Sequence, residues 1–295
     1  MFENFYPGMA WADRPAHWPH AAHSRFVQAG GIQWHVQVMG QGPCMLLLHG
    51  TGSGNFSWRG MLPALAEHFT VIAPDLPGHA FTSRGPDGAL SLPGMAEGLR
   101  ALLLQLNLTP QVIVGHSAGA AIAAHMALHF GSLSRSTLIG LNPAWLPLPG
   151  VASWLFGPAA KLAALNPLSA WATAKMAAKP GAVAEWIART GSHLDAQGVD
   201  LYTRVLSDSG HVHGVLSMMA AWRLKPLAER LHEIRNPVRM LIGEHDLTVP
   251  PALANEACQK LPQALQHTQP GLGHLAHEQD PQNTVQHILK WCAGF

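Results

Sequence analysis

The sequence predicts an α/β fold: an eight-stranded, mostly parallel sheet covered by helices on both faces, with a helical insertion between the sixth and seventh strands. Three observations predict it. Short apolar runs recur without the strict alternation of a sheet that faces water on one side. Stretches of helical character separate them, which is the layout of parallel strands joined by crossover helices. Between about residues 142 and 223 this strand–helix alternation stops.

Residues 1–23 read as irregular. Residues 25–29 and 32–39 flank Gly30-Gly31, a hairpin signal. Residues 44–48 form an apolar run ending in His49-Gly50, and 69–73 another ending in Pro74-Asp75. Residues 111–114 run into Gly115, 136–141 and 238–242 are two further strands, and 265–268 is a weaker last one. Helices are expected over 61–68, 92–106, 118–130, 252–261 and 281–292. The segment without strands is rich in Ala and Leu. It holds Trp145, Trp154, Trp171, Trp186 and Trp222, half of the ten tryptophans. The chain therefore divides into a first core part (1–141), a helical lid (142–223) over the C-terminal edge of the sheet, and a second core part (224–295).

At 295 residues, 48% of them hydrophobic, one large domain with an insertion is expected. Lys+Arg number 18 and Asp+Glu 17, a formal charge of +1. That balance excludes the basic footprint of a nucleic-acid binder, and the apolar content excludes a disordered chain. Cys44, Cys258 and Cys292 are odd in number and far apart, with neither a disulfide framework nor zinc spacing. The N-terminal residues lack a basic start followed by an apolar run. A reducing, cytoplasmic setting is the expectation. Residues 136–160 carry no charge and are long enough to span a bilayer. Pro143, Pro147, Pro149 and Pro158 interrupt them, so a buried strand leading into an apolar cap is expected instead of a transmembrane segment.

The sharpest chemical signal is Gly115-His116-Ser117-Ala118-Gly119, after an apolar strand and at the start of a helix. This is the context of a nucleophile elbow, where a tight turn lifts a serine hydroxyl clear of the backbone. A serine needs a base, and the base an orienting acid. His274 lies in a Gly-rich loop after the last strand, and Asp246 just after the strand before it. The competitors are His277, three residues on, and Glu244 and His245 beside Asp246; loop spacing favours Asp246. Leu48-His49-Gly50-Thr51-Gly52 ends another strand, and the backbone N–H groups of Thr51 and Ala118 are the candidate oxyanion donors. No intrinsic metal or cofactor is expected. The 19 histidines include the spaced pairs His125/His129 and His211/His213, but none carries the glutamate of a zincin motif. His116 is expected to pack beside the elbow. In the lid, Trp145, Trp154, Met218, Met219 and Trp222 are the candidate walls of an apolar pocket.

The stretches 49–75, 115–119, 243–250 and 271–274 resemble the α/β-hydrolase superfamily, whose chain order of nucleophile, acid and base is that of Ser117, Asp246 and His274. A narrower resemblance runs through HGTGSGNFSWRGMLPALAEHFTVIAPDLPGHAFTS, GHSAGAAIAAHMAL, GLNPAWLPLPG and LYTRVLSDSGHVHGVLSMMAAW. These are similar to the magnesium-chelatase accessory proteins of bacteriochlorophyll biosynthesis. The resemblance implies an α/β-hydrolase fold, a serine hydrolase auxiliary to magnesium insertion, an apolar substrate such as a tetrapyrrole or its ester, and magnesium chelatase as partner. A porphyrin-binding protein without hydrolysis and a C–C bond hydrolase are the alternatives. Propionate groups would need cations, for which Lys161, Lys175, Lys179, Arg189 and Arg204 are the lid candidates. Asn142 stands where some relatives carry an alternative acid and cannot serve as one. Ala80 stands where glycine is common, a strained choice if that turn needs positive φ.

Overall fold

The computed structural model describes residues 8–147 and 166–293. Eight strands form one sheet: β1 (Ser24–Ala29), β2 (Ile32–Met39), β3 (Cys44–Leu48), β4 (Thr70–Pro74), β5 (Val112–His116), β6 (Thr137–Leu141), β7 (Val238–Gly243) and β8 (Ala264–Gln269). Their order is β1-β2-β4-β3-β5-β6-β7-β8. Only the β1–β2 and β2–β4 pairings are antiparallel; the rest are parallel.

The apolar runs are continuous because both faces of the sheet are covered. In β3, Leu46 and Leu48 point to one face and Met45 and Leu47 to the other. The first face packs against α2 (Leu92–Gln105) and α3 (Ala118–His129) through residues such as Leu99 and Ile122. The second packs against α1 (Leu62–Ala66) and the C-terminal helix, numbered α11 below (Pro281–Trp291), through Leu65 and Ile288. Ser91 caps α2 by accepting from the Gly94 N–H at 3.1 Å, and Pro93 sits in the first turn, where its missing N–H costs nothing. The weak signal for β8 reflects its place at the sheet edge, where most of its side chains are exposed.

Between β6 and β7 the chain forms α4 (Pro167–Ala177), α5 (Ala182–Ala188), α6 (Ala196–Leu206) and α7 (Ser209–Ala221), then returns to α3 through α8 (Lys225–Arg230). Small residues Ala170 and Ala174 of α4 face Val212 of α7. After β7 come α9 (Pro251–Lys260), β8, the short α10 (Ala276–Gln279), which the sequence pattern did not signal, and α11. Of the uncharged 136–160 segment, residues 137–141 are the buried strand β6, and residues 148–160 fall outside the described residues. No described helix is long and apolar enough to cross a membrane.

Ala80 does adopt positive φ, +42°. The turn is held by its neighbours: the Ala80 N–H donates to His211 Nδ1 at 2.9 Å and the Phe81 N–H to the Asp75 carboxylate at 3.3 Å. The side chain is also buried. A branched residue here meets both the backbone penalty and the packed surroundings. Ala80→Val is therefore expected to cost more than about 2 kcal/mol. Ala80→Gly, which trades backbone relief against a lost methyl contact, is expected to stay within about 1 kcal/mol of the native protein. Urea unfolding midpoints of the two variants check this.

Candidate active site

Strand β5 ends in a sharp turn into α3, and Ser117 sits at its tip with φ +50° and ψ −115°. The turn closes because its flanking glycines allow it. A Cβ on Gly119 would collide with the Leu48 carbonyl, and one on Gly115 with the Ala120 backbone. The Ser117 N–H donates to the Leu141 carbonyl at 3.0 Å, and its own carbonyl accepts from the N–H groups of Ala120 and Ala144, each at 3.1 Å.

His274 and Asp246 arrive from the loops after β8 and β7. His274 Nδ1 lies 2.8 Å from Asp246 Oδ2, and the pair is buried. Asp246 is an acceptor on all sides: Oδ1 takes the N–H groups of Thr248 and Val249, each at 2.8 Å, and Oδ2 also takes Asn142 Nδ2 at 2.7 Å. Four donors fix this carboxylate, so its lone pairs set the tautomer of His274 with the proton on Nδ1. Glu244 is exposed and accepts from the Gly271 N–H instead, at 2.9 Å; His245 is exposed beside it. His277 is buried against His116 and Trp58, with no hydrogen-bond partner on either ring nitrogen. His116 Nε2 donates to the His274 carbonyl at 2.9 Å, so it braces the histidine loop from below.

Ser117, His274, Thr51 and Ala118 all line one cavity of about 420 Å³. Its other walls are largely apolar, with Val183, Trp186, Ile187, Leu206, Trp222 and Leu224 among them. No Lys, Arg, Asp or Glu lines it among the described residues. The volume lies toward the lower end of the ~300–1,000 Å³ usual for small-molecule sites.

The profile of the alpha/beta hydrolase fold family matches residues 43–281. The chain belongs to this family. It is 36% identical over 282 residues to the "Magnesium-chelatase 30 kDa subunit" of Rhodobacter capsulatus, covering 95% of this chain and 98% of that protein. Among solved structures it is similar to an alpha/beta hydrolase fold protein from Burkholderia ambifaria (TM-score 0.75, 22% identity, covering 93% of this chain and 100% of that one). It is also similar to the enol-lactonase from Burkholderia xenovorans LB400 (TM-score 0.72, 19% identity, covering 91% and 100%). At these identities the two structures speak for the fold alone.

In this hydrolase-fold chain the expected pocket walls need correction. Trp222 lines the cavity, but Trp145, Met218 and Met219 do not. Trp145 is held in the core, where its Nε1 donates to the Ala120 carbonyl at 2.7 Å. Met218 is fully buried against the core, and Met219 is half-buried elsewhere on the same helix. Trp154 and Lys161 lie outside the described residues. The walls that sequence reasoning missed, Val183, Trp186, Ile187, Tyr202 and Leu206, come from α5 and α6. Which face of those helices turns inward depends on how they dock. The lid cations also stay outside the cavity. Lys175 and Lys179 are exposed, Arg189 pairs with Glu185 at 2.5 Å, and Arg204 donates to the Asp13 carbonyl at 2.9 Å.

The insertion also grips the loops that carry the site. The Thr190 carbonyl accepts the N–H of His274 and that of Leu247, each at 3.2 Å, and Ser192 Oγ accepts the Leu275 N–H at 2.8 Å. His211 of α7 takes the Ala80 N–H on Nδ1 and so carries its proton on Nε2, which faces the Gly52 carbonyl at 3.3 Å. His49 accepts the Leu76 N–H on Nε2 at 2.8 Å and donates from Nδ1 to the Gly50 carbonyl at 2.8 Å. Burial lowers the pKa of each of these rings: His211 falls to about 4, His277 to about 3, and His49, His79 and His116 are lowered too. These five buried rings thus serve as neutral struts. Among the described residues no group of three or more His, Cys, Asp or Glu side chains is arranged to hold a metal ion.

A second serine–histidine–aspartate trio lies apart. His35 Nδ1 is 2.7 Å from Asp75 Oδ2 and its Nε2 is 2.9 Å from Ser24 Oγ. None of the three lines the cavity at Ser117. Asp75 also takes the Asn55 N–H at 2.7 Å, so the trio ties the β1–β2 hairpin to the end of β4.

Proposed function

We propose that the protein is a serine hydrolase that acts by acyl transfer on an uncharged, largely apolar ester. The observation that carries this is the Ser117 elbow opening on the same cavity as His274, whose imidazole is oriented by Asp246. With the proton on Nδ1, the Nε2 lone pair is the base that takes the Ser117 proton as Oγ attacks the carbonyl carbon. The developing oxyanion is held by the N–H groups of Thr51 and Ala118, the second at the N-terminus of α3. Collapse of the tetrahedral intermediate breaks the ester bond. The alcohol leaves with the proton from the His274 imidazolium, and water then releases the acid by the same steps in reverse.

The pathway role we infer is auxiliary to magnesium insertion into a tetrapyrrole, with magnesium chelatase as partner; it rests on the similarity over nearly the whole chain to the Rhodobacter capsulatus subunit. A cavity of about 420 Å³ with no charged wall among the described residues suits an uncharged ester arm better than a whole macrocycle or a free propionate. The three free thiols, Cys44, Cys258 and Cys292, fit a reducing cytoplasm.

The test is fluorophosphonate labelling followed by peptide mass spectrometry. The native protein is expected to carry one adduct, on Ser117. Ser117→Ala is expected to carry none, and Ser24→Ala is expected to label like the native protein. An adduct on Ser24, or no adduct on folded protein, sinks the reading. Saturable quenching of tryptophan fluorescence by protoporphyrin in an unlabelled protein would favour a non-hydrolytic porphyrin binder.

A further inference from the structure

The wall of the cavity next to the proposed oxyanion loop holds a chain of polar groups that the acyl-transfer step does not use. It begins at Arg59, whose side chain is 11% exposed and pairs with the fully buried carboxylate of Glu278 on α10. Glu278 Oε1 lies 2.8 Å from the hydroxyl of Tyr202 on α6, and that hydroxyl lies 3.0 Å from Ser53 Oγ. Tyr202 and Ser53 both line the cavity.

The chain has a direction. A phenol has one hydrogen. Burial and the neighbouring carboxylate raise the Tyr202 pKa well above 10, so the hydrogen stays and is donated to Glu278. The Tyr202 oxygen is then the acceptor for the Ser53 hydrogen. The other acceptor within reach of Ser53, the Gly54 carbonyl, is farther off at 3.4 Å. With its hydrogen committed, Ser53 turns lone pairs toward the cavity, and hydrogen bonds in series toward a carboxylate strengthen the acceptor at their end.

We propose that Ser53, backed by Tyr202 and Glu278, is a polar subsite that accepts a hydrogen bond from a hydroxyl or N–H of the substrate near its carbonyl. This rests on the hydrolase reading above. An alkyl group pressed onto Ser53 would desolvate its lone pairs without a partner, and sites built to pair a polar group discriminate strongly against analogues that lack it. Set among largely apolar walls, this pair adds selectivity beyond size. Ser53 stands two residues after Thr51, so the recognised donor lies close to the carbonyl.

The experiment compares rates of Ser117 labelling by two series of alkyl fluorophosphonates at pH 8. One series carries a hydroxyl at successive positions along the alkyl chain; in the other, a methyl group replaces it. That pH is above the Glu278 value, which burial raises to about 7 despite Arg59. In the native protein at least one hydroxyl probe is expected to label about tenfold or more faster than its methyl counterpart. In Ser53→Ala, and in Tyr202→Phe, that ratio is expected to fall to about one. Should Ser53→Ala fail to fold, Ser53→Gly gives the same reading. Equal rates for every pair in the native protein, or a ratio that survives both substitutions, overturns the subsite. No labelling by either series overturns the hydrolase reading instead, so the two failures are told apart.

Discussion

Asp246→Asn is expected to slow Ser117 labelling by about ten-thousand-fold while the protein stays folded. The reason lies in the four donors around the carboxylate. Thr248 and Val249 can keep their bonds to the remaining side-chain oxygen. The new NH₂ group would face His274 Nδ1 and Asn142 Nδ2, both donors in the native protein. Asn142 can answer by turning its amide, since its own Oδ1 is buried without a partner. His274 can answer only by moving its proton to Nε2, which removes the base. Asp246→Ala differs in kind. It leaves several buried donors unmatched, and a stability loss of about 3 kcal/mol or more is expected alongside the lost reactivity. Labelling rates together with urea unfolding separate the two effects. A slowing of less than tenfold in a folded Asp246→Asn protein would remove Asp246 from the proposed mechanism.

Steep acid lability is the second large effect expected. His49, His79, His116, His211 and His277 are buried and neutral, and burial lowers the pKa of each below the ordinary 6.5. Below pH 6.5 the unfolded chain takes up protons that the folded protein refuses. The stability these groups contribute is therefore complete above pH 6.5 and is lost as pH falls toward their folded values. A group that stays neutral in the folded protein removes at most about 1.4 kcal/mol per pH unit in that window. His211 and His277 alone, at about 4 and about 3, remove roughly 2 kcal/mol per unit between pH 6 and pH 4. Against a typical stability of ~5–15 kcal/mol, unfolding is expected before pH 4.5. Urea titrations at pH 7, 6 and 5.5 measure the slope. In His277→Leu, which gives up no hydrogen bond because neither ring nitrogen has one, the slope is expected to flatten by one proton. An unchanged slope in that variant would show that His277 does not resist protonation.

The parts of the molecule that could be read in advance are those where one local pattern fixes one outcome. The run at 44–48 has a buried partner on each face, so every residue is apolar. Ser117 is flanked by glycines that the backbone cannot do without. Asp246 and His274 follow strands, and strand ends in a parallel sheet meet at one edge. The harder features join residues far apart in sequence. Ser53 meets Tyr202 across 149 positions, and His211 meets Ala80 across 131. Neither partner carries a motif. The pocket walls failed for a related reason. Trp145 and Trp222 look alike in sequence, yet one is buried with its N–H spent on Ala120 while the other lines the cavity. Ala80 shows the opposite case, where a single residue against the glycine common there raised the question of a positive φ, and the turn has one.

The grip of Thr190 on the loops that carry His274 and Asp246 has a consequence for how this lineage could have changed its substrate. A cap that merely rested on the sheet could be exchanged like a cassette, with new specificity at no cost to reactivity. Here one carbonyl of the insertion receives the amide of His274 and the amide next to Asp246. Gly191, at φ +80°, comes so close to the His245 carbonyl that a Cβ there would collide with it. Transplanting the insertion from a relative would thus disturb His274 and Asp246 together. New specificity is expected to arise by exchange of single wall residues such as Trp186 or Leu206, within an insertion that is inherited whole.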